Sequence, residues 1–287
     1  MTRQFDLLLT AAAPAVWGST YLVTTEFLPD GYPVTVAMLR ALPAGLLLLL
    51  IVRQLPERGW WGRVFLLGGL NFTIFWALLF VAAYRLPGGV AATVGAMQPL
   101  AVVFLSHAVL RTPLKLLSVT AALAGIGGVA LLVLTPEAAL DPIGVAAGIG
   151  CALSMAIGTV LTRRWQPAVP LLTFTAWQLA AGGLLLAPLA FALEPALPSP
   201  SLENLAGYLY LGLPGAALTY YIWFRGVARI EAPVVSLLGL MSPVTALLLG
   251  WIVLGQDLSA PQLAGVGVVM ASFWLGQRAM RPAVSRA

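Results

Sequence analysis

Four kinds of side chain in this sequence could hold a small solute, and several recur in pairs. Trp76 and Tyr220 are 144 residues apart, each near the middle of an apolar stretch. Gln98 and Ser242 share the same offset, each between a methionine (Met97, Met241) and a proline (Pro99, Pro243). Aromatic faces beside a few amides and hydroxyls can stack and orient a planar or apolar ligand, and thioethers add soft, adaptable walls. Phe72, Phe75, Trp76 and Phe80 fall on one face at helical spacing. Tyr220 and Tyr221 stand together further along, Trp17 and Tyr21 flank a Gly-Ser-Thr run, and Trp177 sits beside Gln178. The expected substrate-binding set is therefore Trp17, Tyr21, Phe72, Trp76, Phe80, Met97, Gln98, Trp177, Tyr220, Tyr221, Met241 and Ser242, with Pro99 and Pro243 as hinges. Packing or lipid contact competes for each aromatic and methionine, and helix-to-helix hydrogen bonding for Gln98 and Ser242.

Arg40 lies about two turns into an apolar stretch. It could neutralise a substrate carboxylate, or it could snorkel or bind helix-end carbonyls; the structural role is favoured. Other chemistries lack their residues. One cysteine, Cys151, and one histidine, His107, supply neither a disulfide nor a metal set, and phosphate-loop and nucleophile-elbow motifs are missing. No cofactor and no metal are expected. No Asp or Glu lies well inside an apolar segment, so facilitated movement is expected rather than proton coupling.

The elements that must position these residues are membrane helices. Of 287 residues, 60% are hydrophobic and 9% charged, against about 25% charged in soluble domains; mean hydropathy is +0.96. Apolar runs of about 20 residues, the length that crosses a bilayer, predict spans at 6–26, 33–53, 64–84, 88–110, 115–134, 142–162, 170–192, 204–226, 232–254 and 258–277. The signal-like N-terminus continues to full span length and reads as the first helix. With the N-terminus in the cytoplasm, loops on that side carry Arg3, Arg53, Arg58, Arg63, Arg111, Lys115, Arg163, Arg164, Arg229, Arg278, Arg281 and Arg286. The opposite loops carry Glu26, Asp30, Glu137, Asp141, Glu194, Glu203 and Asp257, with Arg85 as their single cation. This is the positive-inside pattern with both termini cytoplasmic. It also explains the net charge of +5 without nucleic acid. The Arg-over-Lys, Ala/Gly/Leu-rich composition points to a bacterial cytoplasmic (inner) membrane.

The repeat is general. Gly95 and Gly239 are 144 apart, as are Arg85 and Arg229, and LAGIG from Leu123 matches LAGVG from Leu263 at 140. The halves are 1–135 and 136–287, each with about five spans. An odd count turns the second half upside down, which places a transport site at the interface near the midplane. Prolines mid-span bend helices by removing a hydrogen bond.

The tryptophan-glycine-small run at Trp17–Gly18–Ser19–Thr20 and the Gly-x-Met-x-Pro motif in both halves resemble the drug/metabolite transporter superfamily. The two halves look like paired EamA modules, and the chain as a whole is similar to the amino-acid exporters, the aromatic branch above all. The resemblance implies an all-α membrane protein of about ten helices in two inverted five-helix repeats, with a central cavity lined largely by spans three, four, eight and nine. It implies export of small metabolites, amino acids including aromatic ones foremost, by alternating access. The alternatives are another solute class, such as a drug or nucleotide-sugar, and a channel-like pore. A monomer in the lipid bilayer is expected. The small-residue stripe Gly144, Gly148, Ala152, Ala156 fits internal packing better than a dimer face.

Overall fold

A computed structural model of the chain describes residues 3–86, 88–133 and 141–280. The side chains of residues 21, 83, 84 and 88–91 lie outside this description. Tyr21 is therefore placed only by its backbone. Glu137, Arg281 and Arg286 fall outside altogether.

The described residues form ten helical spans and no strand. Spans two (Pro33–Val52), five (Leu116–Val133), six (Pro142–Arg164), seven (Leu171–Leu193) and ten (Ala260–Ala279) are continuous. The other five are interrupted. Span one breaks at Ser19, between Arg3–Gly18 and Thr20–Phe27. Span four breaks between Gly88–Gly95 and Gln98–Leu110, and span nine between Ala232–Leu238 and Met241–Leu254. Pro99 sits in the first turn of the second piece, where its missing N–H has no helical partner to lose. Met97 and Leu240, the residues that enter those second pieces, keep α-type dihedrals, so each break bends a rod without ending it.

Spans three (Trp61–Gly68 to Ile74–Arg85) and eight (Leu202–Gly212 to Thr219–Arg229) carry a different defect. Each contains a π-helical segment, Gly69–Thr73 and Leu213–Leu218, which start 144 residues apart. A π segment displaces carbonyls from the regular ladder, and in lipid those oxygens must find partners inside the protein. They do. Ser154 Oγ donates to Leu70 O at 2.8 Å and Arg40 Nη2 to Gly215 O at 2.7 Å.

Among the described residues, eight helices are long and apolar enough to cross a bilayer. Spans eight and ten are more polar, because Arg225 and Arg229 fall in the former and Gln262, Gln277 and Arg278 in the latter. Large apolar side chains such as Leu8, Leu50, Phe191 and Leu202 are exposed, the pattern of a lipid-facing surface. The repeat-equivalent pairs pack on each other, two on seven and five on ten. A β-carbon added at Gly183 would lie 2.5 Å from Leu42 Cα, and one at Gly265 would lie 2.8 Å from Gly128 O. Backbone cannot yield as a flexible side chain can. Gly183→Val is therefore expected to abolish monodisperse, heat-stable protein in detergent, whereas Gly127→Ala, where the added atom meets nothing, leaves the melting temperature within a degree or two of the parent. Size-exclusion profiles with thermal melts would check both.

The small-residue stripe of span six lies inside the chain. Gly144 packs on Leu86 and Arg85, Gly148 on Val94, and Ala152 and Ala156 are buried. The tight approach of spans three and four uses it.

Candidate functional site

A cavity of about 350 Å³ lies between the halves. Trp17, Thr20, Thr24 and Thr25 of span one and Pro33, Val36, Ala37 and Arg40 of span two form one wall. Phe75, Trp76, Leu79 and Phe80 of span three face Leu211, Tyr220 and Trp223 of span eight. Gln98, Gly239 and Ser242 come from the breaks in spans four and nine, and Met155 from span six. Spans one and two thus contribute as much as the pair three and eight, beyond the four-helix lining that the resemblance implies.

The aromatic side chains form a continuous cluster of tilted and edge-on pairs. Trp17 lies 4.8 Å from Tyr220 and 5.2 Å from Trp223, measured between ring centroids. Phe72 lies 4.7 Å from Tyr220 and 5.5 Å from Trp76. Such pairs each add about 0.5–1.5 kcal/mol beyond area burial, enough to hold the wall rigid. Trp17 Nε1 donates to Thr219 Oγ1 at 2.9 Å, which fixes the indole. The neighbouring Gly18 lets span nine approach. A β-carbon there would lie 2.5 Å from Ser242 O.

Arg40 is buried, donates to Gly215 O and holds its guanidinium carbon 5.6 Å from the Trp76 ring centroid. It does not reach a membrane interface. This one side chain both binds displaced backbone and lines the cavity.

The structure brings Trp17, Trp76, Phe80, Gln98, Tyr220, Ser242 and Arg40 together in the cavity wall. Five expected residues do not reach it. Phe72 is fully buried behind Trp76 and Tyr220. Met97 is exposed, because the two-residue break turns it away from the face that Gln98 keeps. Met241 packs with spans five and ten. Trp177 packs edge-on against Phe174, and its Nε1 donates to Gln54 O at 2.7 Å, tying down the loop after span two. Tyr221 looks outward into an apolar groove with Leu48, Leu172 and Leu218. Pro99 is buried and Pro243 half-buried, both at the helix breaks.

The cavity reaches exposed Thr25 at the face where span one ends. The opposite, arginine-rich face is shut. Asp6 Oδ1 forms an ion pair with Arg225 Nη2 at 2.7 Å and lies 3.7 Å from Arg229 Nη1, with the Asp6 and Arg225 side chains 14% and 9% exposed. Arg3 pairs with Glu231 at 3.1 Å, and Arg163 donates to the carbonyls of Val227 and Ile230. Arg225 is thus a buried partner of Asp6. Deeper on the same side, Asn71 Nδ2 donates to Gln178 Oε1 at 2.9 Å and Thr162 Oγ1 at 3.1 Å, all three buried. This cluster is the repeat counterpart of Arg40 and Gly215. Asn71 and Gly215 are 144 apart, and Arg40 and Gln178 share an offset of 138 with Thr35 and Thr173 and with Gly45 and Gly183.

The family model for EamA-like transporters matches residues 4–134 and again 142–275. The chain belongs to the EamA-like transporter family. Protein PecM of Dickeya dadantii is 48% identical over 267 residues, which cover 92% of this chain and 90% of that one. The inner membrane transporter YedA of Escherichia coli K12 is 28% identical, covering 89% and 85% of the two chains. A solved crystal structure superposes with a TM-score of 0.81 over 98% of this chain and 100% of that one at 22% identity, a likeness of fold alone. This EamA protein is accordingly a multi-pass membrane transporter built from two copies of one module. Within it the cavity lies where the broken spans of both modules meet.

Proposed function

We propose that this EamA protein exports small metabolites, amino acids including aromatic ones foremost, across the bacterial cytoplasmic membrane by facilitated alternating access. One observation carries the reading: an aromatic-walled cavity at the paired breaks of spans four and nine, reaching one face while ion pairs shut the other. Saturable carriers need such one-sided access, whereas a channel needs a continuous path. The arginine-rich closed face is the cytoplasmic one under the positive-inside rule, so both termini are cytoplasmic and this conformation faces outward. Among the described cavity-lining residues there is no carboxylate and no histidine, which supports movement without proton coupling. Relatives that are transporters, one of them of an inner membrane, support the location.

The bends at Pro99 and Pro243 are where the two modules rock. Pro99→Ala combined with Pro243→Ala is expected to slow exchange of aromatic solutes in proteoliposomes about tenfold or more, because residues 99 and 243 gain an N–H that can bond back across the breaks and stiffen them, at normal protein abundance. Unchanged exchange rates in the double variant would remove the hinge from the mechanism.

A further inference from the structure

We infer that the cavity selects aromatic solutes by charge as well as by ring, taking aromatic carboxylates that carry no ammonium group in preference to the amino acids themselves. The inference rests on the reading above, that an aromatic solute occupies this cavity, and narrows it.

The polar inventory of the wall is lopsided. Arg40 is its single charged side chain among the described residues, and it is 8% exposed. Gln98 and Trp223 also line the cavity, and no acceptor among the described residues reaches Gln98 Nε2 or Trp223 Nε1 although both atoms are buried. Buried donors left unmade carry a desolvation penalty that a ligand acceptor would remove. Three donor-bearing side chains around rings from Trp17, Trp76 and Tyr220 describe a site for an aromatic body with an acceptor group, best an anion. A carboxylate meets a cation and amide or indole N–H groups, a strong class of hydrogen bond. An α-ammonium meets the opposite. No carboxylate lines the described wall, so a buried ammonium relies on hydroxyls and amide oxygens while Arg40 repels it.

The test uses three compounds of nearly one shape on the full chain: 3-phenyllactate (anion), phenylalanine (zwitterion) and phenylalanine amide (cation). Binding to purified protein is read by quenching of the cavity tryptophans, and uptake by proteoliposomes loaded with each compound. Phenyllactate is expected to bind at least about tenfold tighter than phenylalanine, with the amide weakest. Arg40→Gln is expected to erase that order and Arg40→Lys to keep part of it. The wild-type series stands even if Arg40→Gln fails to fold. Equal or tighter binding of phenylalanine would overturn the charge preference and leave export of aromatic amino acids standing. No binding or uptake of any of the three by folded protein would overturn both.

Discussion

Replacing Asp6 by alanine is expected to unlatch the arginine-rich face. In the closed face Asp6 holds Arg225 at 2.7 Å, and both side chains are nearly buried. Removing Asp6 takes the carboxylate away from a guanidinium that little water reaches, and breaking a buried pair in this way costs about 3–5 kcal/mol. The guanidinium regains water when spans one and eight part. The penalty therefore falls on the closed conformation and moves the population toward opening by about a hundredfold or more. Thr10, fully buried one turn deeper and set against Gly226, reports on this seam. In a Cys151→Ala background, Thr10→Cys is expected to react slowly with a membrane-impermeant maleimide, and adding Asp6→Ala is expected to speed the reaction by at least tenfold. The swapped pair, Asp6→Arg with Arg225→Asp, restores slow labelling if the attraction itself closes the seam. Equal rates in all three proteins would mean that packing alone, not the ion pair, holds this face shut.

The second large effect concerns the wall. Trp76 is nearly buried, stacks on Phe72 and lies under the Arg40 guanidinium. Trp76→Leu keeps an apolar side chain and removes the ring. A central aromatic anchor is worth about 2 kcal/mol or more, so affinity for aromatic solutes should fall about thirtyfold. Trp177→Leu is the informative contrast. Its indole holds the Gln54 carbonyl far from the cavity lining, so the melting temperature falls while affinity for the same solutes is unchanged. Isothermal titration on both variants, with thermal melts, separates a binding ring from a packing ring. Parallel losses of affinity would merge the two roles and contradict the cavity as drawn.

Much of this architecture is legible in the sequence because membranes impose few solutions. Span length, arginine asymmetry and the 144-residue offset of the Met-x-Pro motifs yield ten helices, two inverted halves and a centre at Gln98 and Ser242. What escapes has physical causes. Nearly every face of these helices is apolar, so periodicity alone does not tell a cavity face from a lipid face. Trp177, Tyr221, Met97 and Met241, expected in the site from sequence, lie outside the cavity lining for that reason. The π segments at Gly69–Thr73 and Leu213–Leu218 show no sequence signature apart from their shared offset. Arg40 and Gln178 correspond at 138 rather than 144, since the loops between spans differ in length, and a search at one offset passes over them. Asp6 looks like an ordinary acid in a first helical turn. Its meaning lies in Arg225, more than two hundred residues away.

The central claim is alternating access by aromatic solutes to one cavity between the halves. Counterflow tests it most directly: proteoliposomes loaded with unlabelled phenylalanine, given a trace of labelled phenylalanine outside, with no ion or pH gradient. The account predicts saturable uptake that internal substrate accelerates and that threonine outside does not inhibit. Uptake that rises linearly with concentration and ignores internal substrate, or uptake that needs a proton gradient, would contradict it.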